Sequence, residues 1–267
     1  MDRESEALVA AGYDAVYAAV PRAPTLWQIW REHVVGADFP TDFSHISFAT
    51  LGEVRTLADE LRLGNDDVLV DLGCGMGGPC LWIASTHDAL RVIGIDASPV
   101  AVASATSRAD RLGFGARSEF RVATLASTGL PGGAADALLS LDALQYAPNK
   151  AAAFREAARV VKHGQQLAFT AFEVSPDRAS GLPVLGDDPV DDYRPLIDGA
   201  GFDVDAYDET PGWNERVTSA FGAVLANAAV LESEMGHDAY AAFSMEATLT
   251  LDTQPYRRHV RVIATRR

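Results

Sequence analysis

Val68-Leu69-Val70-Asp71-Leu72-Gly73-Cys74-Gly75-Met76-Gly77-Gly78-Pro79 is the stretch on which the reading of this chain turns. Val68–Leu72 is a short apolar run that stops at Gly73, as a buried strand does where it meets a turn. Pro79 then opens a helix over Pro79–Ser85, proline being at home in a first helical turn. Between them Gly73, Gly75 and Gly78 satisfy G-x-G-x-x-G, a bend at which backbone approaches a ligand with no Cβ in the way. Glycines also serve tight turns for structural reasons alone, so the neighbouring residues must choose the ligand.

Two acids make that choice. Asp71 stands two residues before the first glycine, at the carboxyl end of the strand. There it repels a pyrophosphate but suits a cation carrying an α-ammonium and a sulfonium. Asp96 ends the next strand, Arg91–Asp96, at the distance from which an acid reaches ribose hydroxyls in a nucleotide-binding βαβ unit. A carboxylate accepts from both hydroxyls at once.

Further out the alternation continues, and it predicts an α/β fold with a parallel sheet. Ser98 is an N-cap before Pro99, and the helix runs to Leu112, where Gly113 stops it. Strands follow at Ser118–Thr124 and Ala135–Ser140, a helix at Asn149–Lys162 closed by His163-Gly164, and a fifth strand at Gln166–Glu173. Residues 175–192, rich in Pro, Gly and Asp, read as a loop inserted over the site. Then come a helix near Asp191–Ala200, a strand at Phe202–Glu209, one long helix from Asn214 to Met235 and a closing strand at Arg257–Thr265. With no standard crossover between them, the last two strands form a pair, one of them antiparallel. Residues 1–65 are largely helical and carry Tyr13, Tyr17, Trp27, Trp30, Phe39, Phe43 and Phe48. They are expected to form a helical lid segment on a core spanning 66–267.

The 267 residues suffice for one large core. A net charge of −15, from 37 acidic and 22 basic residues, repels polyanions and offers no basic stripe. Nucleic acid is therefore disfavoured as a partner. Cys74 and Cys80 lack the spacing of a zinc site or a disulfide framework. The acidic N-terminus does not read as a signal peptide and no run is long enough to span a bilayer, so a cytoplasmic monomer or homodimer is expected.

Four stretches taken in order, VLVDLGCGMGGP, VIGIDASP, STGLP and LLSLDALQYAPN, resemble the successive motifs of class I methyltransferases of the small-molecule type, most of all bacterial enzymes that methylate natural products. The resemblance covers residues 66–173. It implies a Rossmann-like seven-stranded sheet in the order 3-2-1-4-5-7-6 with the seventh strand antiparallel, and S-adenosyl-L-methionine as cofactor. By the same likeness Gly73 and Gly75, with Cys74 and Gly77, line the methionine end. Asp71 orders the ammonium, and Asp96, with Ala97 beside it, holds the ribose.

The chain departs from that pattern twice. Relatives carry an acid for the adenine amino group where Thr124-Leu125 stand here. The Thr124 hydroxyl and the Leu125 amide can take its place, or packing alone can hold the ring. Relatives often show histidine where this chain has Gln145-Tyr146. Glutamine is no base, and Tyr146 becomes one only if its pKa falls well below about 10. Asp142 is better placed, either as a base or holding the methionine ammonium. His45 and His33, in the lid, are the other candidate bases.

Tyr13, Tyr17 and Trp30, with Gln145 and Tyr146, are candidates for the acceptor wall, though a stripe at helical spacing also serves as ordinary core. Trp213 and Tyr256 are weaker candidates. His87, His163 and His259 read as surface or strand-end residues, and His237 as a helix cap. Oxygen, nitrogen and carbon acceptors all remain open. Two rivals stand beside the reading. An NAD(P)-dependent oxidoreductase shares the glycine pattern, but Pro148 interrupts the helix that would align Tyr146 with Lys150. A cofactor-binding protein of this fold that no longer methylates, such as a pericyclase, is the other.

Overall fold

The computed structural model describes residues 13–175 and 189–267. Seven strands form one sheet: β1 (Val68–Leu72), β2 (Arg91–Asp96), β3 (Ser118–Val122), β4 (Ala135–Leu141), β5 (Val161–Val174), β6 (Phe202–Glu209) and β7 (Arg257–Arg266). Their order is β3-β2-β1-β4-β5-β7-β6. β1 pairs in parallel with β2 and β4, whereas β7 runs antiparallel to both β5 and β6. The sheet is therefore the one expected, terminal pair included.

Helical structure at 13–19 (α1) leads to α2 (Pro24–Trp30), α3 (Leu51–Glu60), α4 (Gly78–Ser85), α5 (Pro99–Arg111), α6 (Lys150–Val160), α7 (Arg194–Gly199), α8 (Trp213–Ala226), α9 (Ala228–Met235) and α10 (His237–Thr253). Capping follows the residues. Ser98 Oγ accepts from the Ala101 amide at 3.0 Å at the head of α5, and Asn149 Oδ1 from Ala152 at 2.8 Å at the head of α6. Thr50 and Glu53 close a capping box on α3. Every residue of α4 from Gly78 to Ala84 is buried; a helix apolar all round is covered on every side, here by the sheet, by α3 and by the segment around Phe43.

Several boundaries differ from the sequence reading. The helix after β4 ends at Val160 and the chain extends at once, so His163 and Gly164 lie inside β5. The helix near residue 194 is only six residues long. The single helix expected over Asn214–Met235 is two, because Asn227 leaves helical geometry (φ −104°, ψ 27°) and turns its side-chain amide onto the Ala223 carbonyl at 2.8 Å. α10, seventeen residues long, is a helix that the sequence reading left out altogether. His237 is no cap of the preceding helix; it stands in the first turn of α10, its Nδ1 2.6 Å from Glu232. The loop expected at 175–192 falls for the most part outside the described residues.

One apolar cluster packs α6 onto one face of the sheet through Val70, Leu138, Phe154 and Phe169. A second packs α3 and α4 onto the other through Leu57, Leu81, Ile83 and Leu139. The third joins α2 to α8, α9 and α10 through Leu26, Trp30, Phe221, Leu231 and Phe243. It forms a helical roof over the carboxyl ends of the strands. The roof is fastened by Arg216 of α8, which donates to the Phe48 carbonyl at 3.1 Å and pairs with Glu53 at 2.7 Å.

Candidate functional site

Beneath the roof lies a pocket at the carboxyl ends of β1, β2 and β4. The glycine bend forms its floor. The amides of Gly73 and Cys74 both donate to the Ile95 carbonyl, at 2.7 and 3.0 Å, which ties the bend to β2. Gly73 has φ +79°, and a Cβ there would sit 2.2 Å from that of Ala143, so only glycine fits. A Cβ on Gly75 would press on the Tyr17 hydroxyl at 2.9 Å; this is open backbone facing the pocket.

The two acids flank the bend, Asp71 buried and Asp96 half-buried. Burial pushes the Asp71 carboxyl up to about 7. Asp96 is also pushed up by burial, although each of its oxygens accepts a backbone amide, from Gly75 at 2.8 Å and Ser98 at 2.9 Å. Each oxygen keeps a lone pair for a further donor. Neither carboxylate meets a cationic side chain among the described residues. Ala97, Thr124 and Leu125 continue the wall beyond Asp96, and Cys74 completes the floor.

Toward the roof, Asp142 lies on the wall in the left-handed region (φ 51°). Oδ1 accepts from His259 Nε2 and from Thr170 Oγ1, each at 2.8 Å, and Oδ2 from the Phe48 amide at 2.9 Å. Burial works against its ionisation, but His259 and these donors outweigh it and hold the carboxyl below its ordinary value. His259 is in turn fixed by Thr210 at 2.7 Å and by the Trp213 ring stacked on it, centroids 4.6 Å apart. It is buried, not a surface residue. Trp213 thus stacks beneath the site and Tyr256 is half exposed; neither lines the pocket.

The remaining wall is aromatic: Tyr13, Tyr17, Trp30, Phe48, Phe221 and Phe243. Set into it is Glu246 of α10, whose Oε1 accepts from Tyr13 at 3.3 Å and from Tyr146 at 3.4 Å. Burial and the nearby Glu246 push the Tyr146 hydroxyl up, the wrong direction for a base. His45 reaches the wall with Nδ1 2.9 Å from Ser47 Oγ, and burial lowers its pKa to about 4.

Three expected site residues stand outside the pocket. Gly77 faces inward, where a Cβ would meet Phe120 and Ala105 at about 3.0 Å. Gln145 is buried off the wall, its Oε1 without a partner among the described residues. His33 lies outside the roof, 2.7 Å from Ser219 Oγ. The sequence reading missed Glu246, Phe221 and Phe243. A signal existed for the first: Phe243, Glu246, Ala247 and Thr250 recur at helical spacing, and an acid in a buried register is an anomaly.

Residues 70–169 match the model of the methyltransferase domain family. Over 260 residues the chain is 26% identical to 27-O-demethylrifamycin SV methyltransferase of Amycolatopsis mediterranei, covering 90% of this chain and 93% of that one. The chain is a class I S-adenosylmethionine-dependent methyltransferase. It is also 28% identical to phosphoethanolamine N-methyltransferase 1 of Arabidopsis thaliana, but spans only 36% of that protein's length. Among solved structures, the cyclase SpnF superimposes with a TM-score of 0.75 at 20% identity, covering 97% of this chain and 94% of that one, a likeness of fold.

The methyltransferase's cofactor is S-adenosyl-L-methionine, and the pocket suits it. Two carboxylates, one buried and one half-buried, without cationic partners among the described residues and set on either side of a bare glycine bend, match a ligand with an ammonium, a sulfonium and a ribose diol. They would repel the pyrophosphate of a nicotinamide dinucleotide. Lys150, the would-be hydride-transfer partner of Tyr146, is buried with Nζ on the Ala147 carbonyl at 3.1 Å. No helix among the described residues is long and apolar enough to cross a membrane.

Proposed function

We propose that this methyltransferase methylates a small organic acceptor in bacterial secondary metabolism, with the cofactor on the glycine bend and the acceptor under the aromatic roof. The observation that carries the reading is the pair Asp71, buried, and Asp96, half-buried, lining one pocket with no cation to match them among the described residues. In this reading Asp71 takes the α-ammonium, and Gly73, Cys74 and Gly75 carry the methionine portion. Asp96, with Ala97, takes the ribose hydroxyls. The Thr124 hydroxyl and Leu125 amide face the adenine.

Asp142 has already accepted three donors from the protein, so its chief work is to anchor the Phe48 backbone over the site; one lone pair on Oδ2 remains. S-adenosylmethionine supplies an electrophilic methyl group together with its leaving group, so the chain's own part is to align the acceptor and exclude water. The roof does both. The length shared with the rifamycin enzyme supports a natural product as acceptor, and the acidity of the chain disfavours nucleic acid.

Calorimetric titration with S-adenosylmethionine and with NADP+ tests the cofactor half; only the first should bind. An acceptor screen read as S-adenosylhomocysteine tests the other half. A bound cofactor with no methyl transfer to any of a wide set of small acceptors would favour a cyclase-like role.

A further inference from the structure

Resting on the pocket as the place of methyl transfer, we propose that Glu246 is the catalytic proton acceptor and that the acceptor is an uncharged, largely apolar molecule presenting a hydroxyl to it. Glu246 sits in the aromatic wall, and Tyr13 and Tyr146 both donate to Oε1, leaving Oε2 without a donor among the described residues. The other polar groups are committed or unsuited. Asp142 is occupied by His259, Thr170 and the Phe48 amide. His45 is a weak base at about 4, and Nε2 is enclosed. Asp71 and Asp96 belong to the glycine bend. Glu246 is the carboxylate that faces the space under the roof with an oxygen to spare.

The charge of the wall sets the acceptor class. No lysine or arginine lines the pocket among the described residues, while four carboxylates do: Asp71, Asp96, Asp142 and Glu246. A phosphate- or diphosphate-bearing acceptor would enter a low-dielectric, negative site with nothing to pair it. An ammonium fits poorly for a different reason. Arg257 of β7 already acts on Glu246 from outside the wall, its guanidinium 4.2 Å over the Phe172 ring. A protonated amine also has no lone pair with which to attack. A hydroxyl donates its proton to Oε2 and keeps a lone pair for the methyl carbon. As that lone pair forms the O–CH3 bond, the S–CH3 bond breaks with its electrons going to sulfur. The hydroxyl proton passes to Glu246 and then to solvent.

The groups facing Glu246 are Tyr13 and Tyr17 from α1, Tyr146 after β4 and Arg257. Burial, the largest influence, raises its pKa against the two tyrosine bonds and Arg257, so the acidic limb of the rate profile lies above the ordinary carboxylate range.

Three probes of one ring size test the proposal: 1-naphthol, 1-naphthylmethylamine (an ammonium at neutral pH) and 1-naphthyl phosphate, each with S-adenosylmethionine and read as methylated product. Only 1-naphthol should be methylated. Glu246→Gln should lower kcat by roughly 100-fold or more, leave KM within a few-fold and abolish the acidic limb, while Glu246→Asp restores the limb in part. Cofactor affinity of the Gln variant, measured by calorimetry, should equal that of the wild type, which also reports an intact fold. Methylation of the amine or phosphate in preference to naphthol, turnover of none of the three with cofactor bound, or a Gln variant that keeps kcat and its acidic limb would overturn the proposal. Failure of the wild type to bind S-adenosylmethionine would instead overturn the reading of the pocket.

Discussion

Asp96 shows how much one side chain can do at the residue scale. Its two oxygens already order the bend through Gly75 and the start of α5 through Ser98, and the same oxygens face the pocket. Ser98 also donates to Asp14, so a second acid stands close behind. In the proposed reading, removing the carboxylate takes away two charge-assisted ribose bonds, each worth about 1.5–3 kcal/mol. Asp96→Ala should therefore weaken S-adenosylmethionine binding by about 100-fold or more in calorimetry while circular dichroism stays unchanged. Unaltered affinity would place the ribose elsewhere. This residue was legible from sequence because its position is set by local chain geometry: a strand end one βα unit after the glycines. Glu246 was not, since nothing local says which strand ends α10 will cover.

At the scale of elements, the informative one is β7. Its antiparallel course brings His259 opposite Phe172 of β5, beside the pocket and against Asp142 of the β4 end. A histidine near the chain's end thus becomes the support of a carboxylate 117 residues earlier. Breaking such a buried pair from one side costs about 3–5 kcal/mol. His259→Ala should lower stability in urea by about that amount. Asp142 would also hold the Phe48 amide less firmly, so that amide should exchange its hydrogen faster than the bonded amides of β1. Unchanged exchange at Phe48 would mean that Arg216 alone fastens the roof. The strand was readable as a strand, and its pairing followed from the missing crossover. His259 read as a strand-end surface residue because burial by Trp213 and α8 is a tertiary fact.

For the whole molecule, the pocket is a store of unfavourable charge. Asp71 has a folded value of about 7, raised by burial, against about 3.9 in an unfolded chain. The unfolded state ionises first, so the contribution of this group is fully present below about pH 4 and is lost as pH rises through about 7. For the ligand-free protein the loss is on the order of 4 kcal/mol. Comparing wild type with Asp71→Asn across that range in urea isolates it: the wild type should lose stability relative to the variant as pH rises. A gap that stays constant, or that closes with rising pH, would show that the carboxyl is not held neutral. Glu156 works in the opposite sense. Arg159 pulls it down to about 2, so its smaller, partly exposed contribution is lost as pH falls below about 4.

Sequence alone settled the strands, the glycine bend and the two acids beside it, since each rests on neighbours a few residues apart: apolar periodicity, a cap, a proline, a strand end. The order of the strands came from the likeness of four motifs to a known family. Folding in three dimensions decided the rest. Gly77 and Gln145 turned inward and His33 turned outward because side-chain direction depends on what packs against it. The aromatic wall of the pocket joins α1, the segment around Phe48, α8 and α10, separated by up to 233 residues at the Tyr13–Glu246 contact. Contacts of that range are fixed by how the roof buries its apolar faces on the strand ends, a global packing solution that no local pattern encodes.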